Sequence, residues 1–411
     1  MSAPVLHPGQ LLLPAQSLNP TQWACVACDQ FTSQPAYWAE ARMSAGGQPS
    51  AVNLILPECD LKEADQRIPQ IHAAMQQYLR DGVLTPGVEN GFILTERTTQ
   101  SGTRLGLVAL LDLECYDYHP GNNAPVRASE ETVVSRLPAR VNIRRGAALE
   151  MSHVLMLIDD PMHSVVEPLH DRRGELEKLY DFPLMMNGGH LRGYAITAPE
   201  DIQFVYDALE KVNTYGTLRY AVGDGNHSLA SAKAYWEEIK PTLTYEQTAS
   251  HPARFAVVEV ENIHDDALVF HPIHRVLFGV DGDELLSDFQ QYAAERGMSL
   301  CGGDQRTVCV YEGKQIALMI SGSKHALPVG TLQLFLDHWL ESHPDVTIDY
   351  VHGSETAHAL AAEKNVVAFL LPVPDGSALF ATVNEKGVLP RKTFSMGSAN
   401  EKRYYIEARR L

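Results

Sequence analysis

The sequence predicts an α/β or α+β fold: a mixed β-sheet core with surrounding helices and an inserted α+β subdomain. Three observations lead there. Short apolar runs, such as residues 153–158 and 255–260, have strand length, and the first is apolar enough to be covered on both faces. Residues 218–233 read as a strand, a glycine-bracketed polar loop and a helix. Residues 347–371 then repeat the order strand, polar loop, helix, strand. Strands that alternate with helices indicate layered architecture.

Residues 1–200 are expected to form an N-terminal α/β part. Its first strand, in the cluster after Trp23, ends on Asp29. Within residues 60–82, Ile68, Ile71, Met75, Tyr78 and Leu79 recur at helical spacing, the regular helix beginning near Pro69 and stopping at Gly82. Residues 92–97 and 105–113 read as paired strands about a turn. A short helix is expected from Ser129, with Glu130 and Glu131 at the positive end of its dipole. Residues 172–180 are charged and read as helical.

Residues 201–280 are the expected central part. Pro199 opens a helix through Val212. The polar loop follows, and its helix, with Ser228 as N-cap, buries Leu229, Ala232, Trp236 and Ile239. Residues 281–345 read as the inserted subdomain, with two helices and two strands. Residues 346–411 are expected to return to the core, with a further strand at 378–383 before a basic, glycine-flanked loop.

The 411 residues carry 33 basic and 51 acidic side chains, a net charge of −18. That argues against a general nucleic-acid or anionic-membrane surface; Arg136, Arg140, Arg144 and Arg145 make one local basic patch. No apolar run nears the roughly 20 residues that span a bilayer. No signal peptide is read at the N-terminus. Six irregularly spaced cysteines suit a reduced, cytoplasmic protein. Cys25 and Cys28 form a CxxC, but no second pair lies at zinc-site spacing. Gly223 and Gly225 lack the third glycine of a dinucleotide fingerprint, so NAD and FAD are not expected. Neither a Walker A sequence nor a GxSxG elbow occurs.

Candidate chemistry centres on Gly223-Asp224-Gly225-Asn226-His227-Ser228. Asp224 could ligate Mg²⁺ or act as a base, and His227 could transfer a proton. Backbone N–H groups around Gly223, Gly225, Asn226 and Ser228 could hold phosphate. The alternative is a polar turn whose Asx side chain and glycines only set its shape. His271, His274 and Arg275, following a strand, could bind a carboxylate or phosphate. His352 and Glu355 place titratable groups at a second strand-to-helix loop, and Arg391-Lys392 could neutralise a polyanion.

Taken in order, the Asp224 loop, His271-Pro-Ile-His-Arg275, Tyr350-Val-His-Gly-Ser-Glu355 and Leu389-Pro-Arg-Lys-Thr393 resemble the family labelled domain of unknown function 1015. That family's loop commonly reads Asp-Gly-His-His-Arg; here Asn226 and Ser228 stand where it has the first His and the Arg. The loop is similar to the phosphate-binding turn of the ParB and sulfiredoxin superfamily, which includes free serine kinases. The resemblance implies nucleotide-dependent chemistry at this loop. The expected function is a nucleotide-dependent phosphotransferase acting on a small hydroxylated metabolite such as serine, with Mg²⁺ entering with the nucleotide. Asp224 would bind metal or activate the hydroxyl, Asp29 or Glu355 could be the base, and Arg275, Arg391 or the helix N-terminus could stand in for the missing arginine. A nucleotide-binding regulator without rapid turnover and a metal-assisted phosphate-ester hydrolase are the alternatives. The oligomeric state stays open.

Overall fold

A computed structural model describes residues 4–27, 30–31, 34–325, 327–373 and 375–411. The chain folds as two compact units. The first comprises Met1–Val269, Ser377–Val388 and Gly397–Leu411; the second comprises Phe270–Gly376 and Leu389–Met396. Residues 281–345 thus all fall in the second unit, together with 270–280 and 346–376.

The first unit is built on a 13-stranded mixed sheet. Its middle runs through the strands Val126–Ala128, Tyr220–Asp224, Leu155–Ile158, Phe255–Asn262, Gly102–Asp112 and Leu84–Thr99, in that spatial order. Two pairings decide where the site forms. Val126–Ala128 and Tyr220–Asp224 are parallel, so the loops that follow them leave from the same edge. Leu155–Ile158 is antiparallel to Tyr220–Asp224 and begins at that edge.

The two faces of this sheet differ in chemistry. One face buries Phe92, Leu94, Leu107, Met156, Val222, Val258 and Val260 under Val205 of the helix Pro199–Leu209 and Leu229 and Trp236 of the helix Asn226–Ile239. That is the hydrophobic core that alternate strand residues specify. The opposite face carries Thr95, Arg97, Arg104, Glu259 and Glu261, all buried. The segment Gly397–Leu411 covers these charges with charges of its own: Glu401, Lys402, Arg403, Glu407 and Arg409 are buried as well. Gly106 is part of the fit, because a Cβ there would stand 2.4 Å from Glu259 Oε1 and 2.6 Å from Thr95 Oγ1.

In the second unit a six-stranded antiparallel sheet has the order Lys314–Ile320, Gln305–Tyr311, Val366–Leu370, Phe270–Phe278, Thr347–His352, and Phe394–Met396 pairs with the start of Phe270–Phe278. The helices Gly282–Glu295 and Pro328–Glu341 close one face over Leu277, Phe289, Phe335 and Phe369. The helix Ser354–Leu360 packs on the other face with Val276, Ala357 and Ala361.

Several local expectations are corrected. Residues 178–183 form a strand rather than helix, because they pair with His190–Ile196 across a turn in which Met186, Asn187 and Gly189 have positive φ. Residues 379–386 are helical rather than a strand: Leu379, Phe380 and Val383 share one buried stripe, and Gly387 at φ 81° ends it. No helix starts at Ser129; the α-helix there is Leu137–Arg144, whose Pro138 suits a first turn that lacks N–H partners. The helix Ala64–Arg80 begins before Pro69 and holds it inside. His271 to Arg275 lie within the strand Phe270–Phe278 rather than after one. Among the described residues, no helix is long and apolar enough to cross a membrane.

Candidate functional site

The strand Tyr220–Asp224 carries an irregularity at its end. Val222 pairs with Met156, but Asp224 pairs with Leu155, so Gly223 is an extra residue in the ladder. Such a bulge re-aims the next side chain. Val222 faces the apolar core with Met156. Asp224 shares a register line with Leu155 and Glu259, on the charged face. Gly225 then takes φ 84° and a position where a Cβ would meet the Val154 backbone at 3.1 Å. Both demands favour glycine.

The helix starts at Asn226, with Gly225 in the N-cap position and no side-chain cap. Ser228 is therefore not the cap but lies in the first turn. The first-turn N–H groups lack intrahelical carbonyl partners, as at any helix start, and present the positive end of the dipole.

Lys402 supplies a cation beside this loop. Its Nζ lies 3.5 Å from Asp224 Oδ2, with the lysine side chain 6% and the aspartate 16% exposed. Asp224 Oδ1 accepts the Gly225 N–H at 3.0 Å. Apart from the ion pair, Asp224 Oδ2 has no hydrogen-bond partner among the described residues, and neither has the buried Asn226 Oδ1. On the same loop, His227 Nε2 accepts the Val133 N–H at 3.1 Å, which ties the two loops leaving the parallel strands together. A ring nitrogen that accepts carries no proton, so in this arrangement the His227 proton is on Nδ1. Ser228 Oγ stands 3.3 Å from Nε2 of the buried His153, and His153 Nδ1 is 2.7 Å from the Tyr405 hydroxyl. Tyr405, His153 and Ser228 thus form a hydrogen-bonded line into the first turn.

The sheet's buried arginines hold Lys402 in place. Arg97 donates to the carbonyls of Asn400, Glu401 and Lys402 at 2.7, 3.0 and 2.6 Å. Arg403 meets Glu259 Oε2 and Glu407 Oε2, each at 2.6 Å. Arg104 Nε lies 2.8 Å from Glu261 Oε1, yet neither Glu261 oxygen has a hydrogen bond of good geometry. Burial pushes the Glu261 carboxyl up to about 8; Arg104 pulls it down, and Glu259 and Asp265 add to the rise. The folded state then holds a proton that the unfolded chain has released. The associated stability is full below the ordinary carboxylate range and is lost as pH rises towards about 8. Glu261→Gln is expected to flatten this fall. In urea unfolding from pH 5 to pH 8, wild type should lose on the order of 1–3 kcal/mol relative to the variant. A parallel pair of curves would contradict it.

The other expected site residues lie in the second unit. Arg275 is fully buried and turned inward. It donates to Gln333 Oε1 (3.1 Å) and to the carbonyls of Ile273 (2.6 Å), Lys392 (2.8 Å) and Arg391 (3.0 Å). Those bonds make it a clasp for residues 391–392. His274 is 3% exposed, with Nδ1 accepting the Leu371 N–H; burial lowers its pKa, and Arg275 adds to the effect. His271 is half-buried in its strand and pairs with Ser395. His352 and Glu355 are exposed at the Gly353 turn. Arg391 bonds Tyr350 Oη and Asp337 Oδ1, and Lys392 is exposed at φ 57°. Asp29 lies outside the described residues. His153, Lys402 and Tyr405 escaped the sequence reading. For Lys402 and Tyr405 the signal was an unusual density of charge and tyrosine at 401–410.

Among the described residues, no group of three or more His, Cys, Asp or Glu side chains is arranged to hold a metal ion. Asp224 Oδ2 and Asn226 Oδ1 are two buried loop oxygens without a hydrogen-bond partner among the described residues.

A mixed-sheet α/β protein with a polar strand-to-helix loop is the class defined so far. The chain belongs to the family described as protein of unknown function (DUF1015), whose model matches residues 12–370. No curated protein matches it by sequence. Among solved structures it is similar to a free serine kinase variant in complex with AMP, at 12% identity over 73% of this chain and 90% of that one, TM-score 0.42. It is also similar to a conserved hypothetical protein from Pyrococcus furiosus (11% identity, 74% of this chain and 94% of that one, TM-score 0.38). A C-terminally truncated SbnI from Staphylococcus aureus is a further one (12%, 71% and 82%, TM-score 0.37).

Proposed function

We propose that the Asp224 loop serves a nucleotide-dependent phosphotransferase acting on a small hydroxylated metabolite. One observation carries the reading. A buried carboxylate oxygen without a hydrogen-bond partner, Asp224 Oδ2, faces a buried lysine at the start of a helix. Phosphate oxygens would meet the first-turn N–H groups and the Lys402 ammonium. Lys402 then supplies the charge for which Arg275 and Arg391 were candidates. Asp224 and Asn226 would hold a Mg²⁺ brought with the nucleotide; when bound, that ion neutralises phosphate charge. In its absence from the loop, Asp224 is placed to accept the acceptor hydroxyl's proton. His153, linked to Ser228 and Tyr405, offers a relay for that proton, while His227 fixes the loop.

Product analysis tests this. Incubation with ATP or ADP, Mg²⁺ and a panel of hydroxylated metabolites is expected to yield a phosphorylated product and consumed nucleotide. Nucleotide bound but never consumed would point to a regulator instead. Phosphate released from phosphometabolites without nucleotide would point to a hydrolase.

A further inference from the structure

Beside the loop lies a cavity of about 120 Å³ in the first unit, reached by Ser228 and Ser231 of the helix Asn226–Ile239. Most of its wall is apolar, including Leu56, Met75, Ile143 and Met151. Arg144 stands in that wall. Its Nη1 meets Glu150 Oε1 at 2.8 Å, while Nε and Nη2 are buried with no hydrogen-bond partner among the described residues. Nε–H and Nη2–H share one edge of the guanidinium, the edge that meets both oxygens of a carboxylate at once. Glu150 does not balance the local charge, because its second oxygen is already taken by Arg409 Nη1 at 3.1 Å. Arg144 and the buried Arg409 thus share one carboxylate, and a buried donor edge left unpaired is costly.

We propose that this cavity binds the acceptor substrate, and that the acceptor is a small carboxylic acid with an apolar body whose carboxylate pairs with the Nε–Nη2 edge of Arg144. This assignment rests on the phosphotransfer reading for its word "acceptor"; binding itself does not. A cavity of about 150 Å³ holds benzene, so this one of about 120 Å³ takes about five non-hydrogen atoms. An acid of that size would fill the apolar wall and bring an anion to the spare arginine edge. Ser228 joins the cavity to the loop, so a hydroxyl on the acid would point towards Asp224 and the phosphate.

Calorimetric titration without nucleotide tests it, using propionate, butyrate and lactate, each against its amide. The acids are expected to bind and the amides to bind about tenfold or more weakly, since they lack the second anionic oxygen. Arg144→Gln should weaken the acids about tenfold and leave the amides unchanged. Because that variant also loosens Glu150, Ala147→Leu provides a second arm: Ala147 lines the cavity, and the larger side chain fills it. It should abolish binding of acid and amide alike while melting as wild type does. No binding of any acid at millimolar concentration, equal binding of acid and amide, or unaltered binding in both variants would each overturn the proposal. Acid binding together with no phosphorylated product would overturn the phosphotransfer reading and leave the cavity assignment standing.

Discussion

Arg403→Met is expected to destabilise the protein by about 4 kcal/mol, because it strips from two buried carboxylates the cation that they share. Arg403 is 2% exposed and bonds Glu259 and Glu407, as well as the Ser152 carbonyl. Methionine keeps the apolar stem and leaves both acids without the guanidinium that each of them bonds. Uncompensated buried charge is the expensive outcome; replacing every member by neutral groups is not. Adding Glu259→Gln and Glu407→Gln to Arg403→Met should therefore recover much of the loss. Urea unfolding of the single and triple variants measures both effects. A loss below about 1 kcal/mol in the single variant would show that the charged face does not stabilise the fold in this way.

Asp224→Asn is expected to lower phosphotransfer by about a hundredfold or more, the usual scale for removing a proton acceptor. The amide keeps an oxygen for the Gly225 N–H, so loop geometry survives. What changes is charge: neither a cation nor a leaving proton is held at the former Oδ2, and Lys402 loses its partner. Turnover measured beside the melting curve separates chemistry from folding. Full turnover in a folded Asp224→Asn protein would remove the loop from the mechanism.

Much of the fold was legible because strand-length apolar runs and helical spacing are local signals. The helix after the loop, the hairpin at 92–113 and the helices of the second unit follow from such patterns. The errors fall where a distant partner decides. Residues 178–183 are charged enough for a helix, but hydrogen bonding to His190–Ile196 makes them a strand. Ser228 has the chemistry of an N-cap, yet the bulge at Gly223 and the positive φ of Gly225 start the helix earlier. For the site, glycine and Asx density pointed to the Asp224 loop, where the structure has a strand bulge followed by a helix start. Arg275 drew attention for its charge, but charge says nothing of direction, and it clasps backbone carbonyls instead. Lys402 and Tyr405 carry no local motif; only the pairing of the 401–410 segment against the sheet brings them to residues far away in sequence.

That segment also sets an order of events. Until residues 397–411 dock, the sheet face would expose Asp224, Glu259 and Glu261 without Lys402 and Arg403 to balance them. Closing a loop of that separation is slow compared with forming neighbouring hairpins. Arg97 and Arg104 balance part of this charge on the sheet itself, and Lys402 and Arg403 balance the rest, so water leaves the charged face together with the docking of residues 397–411.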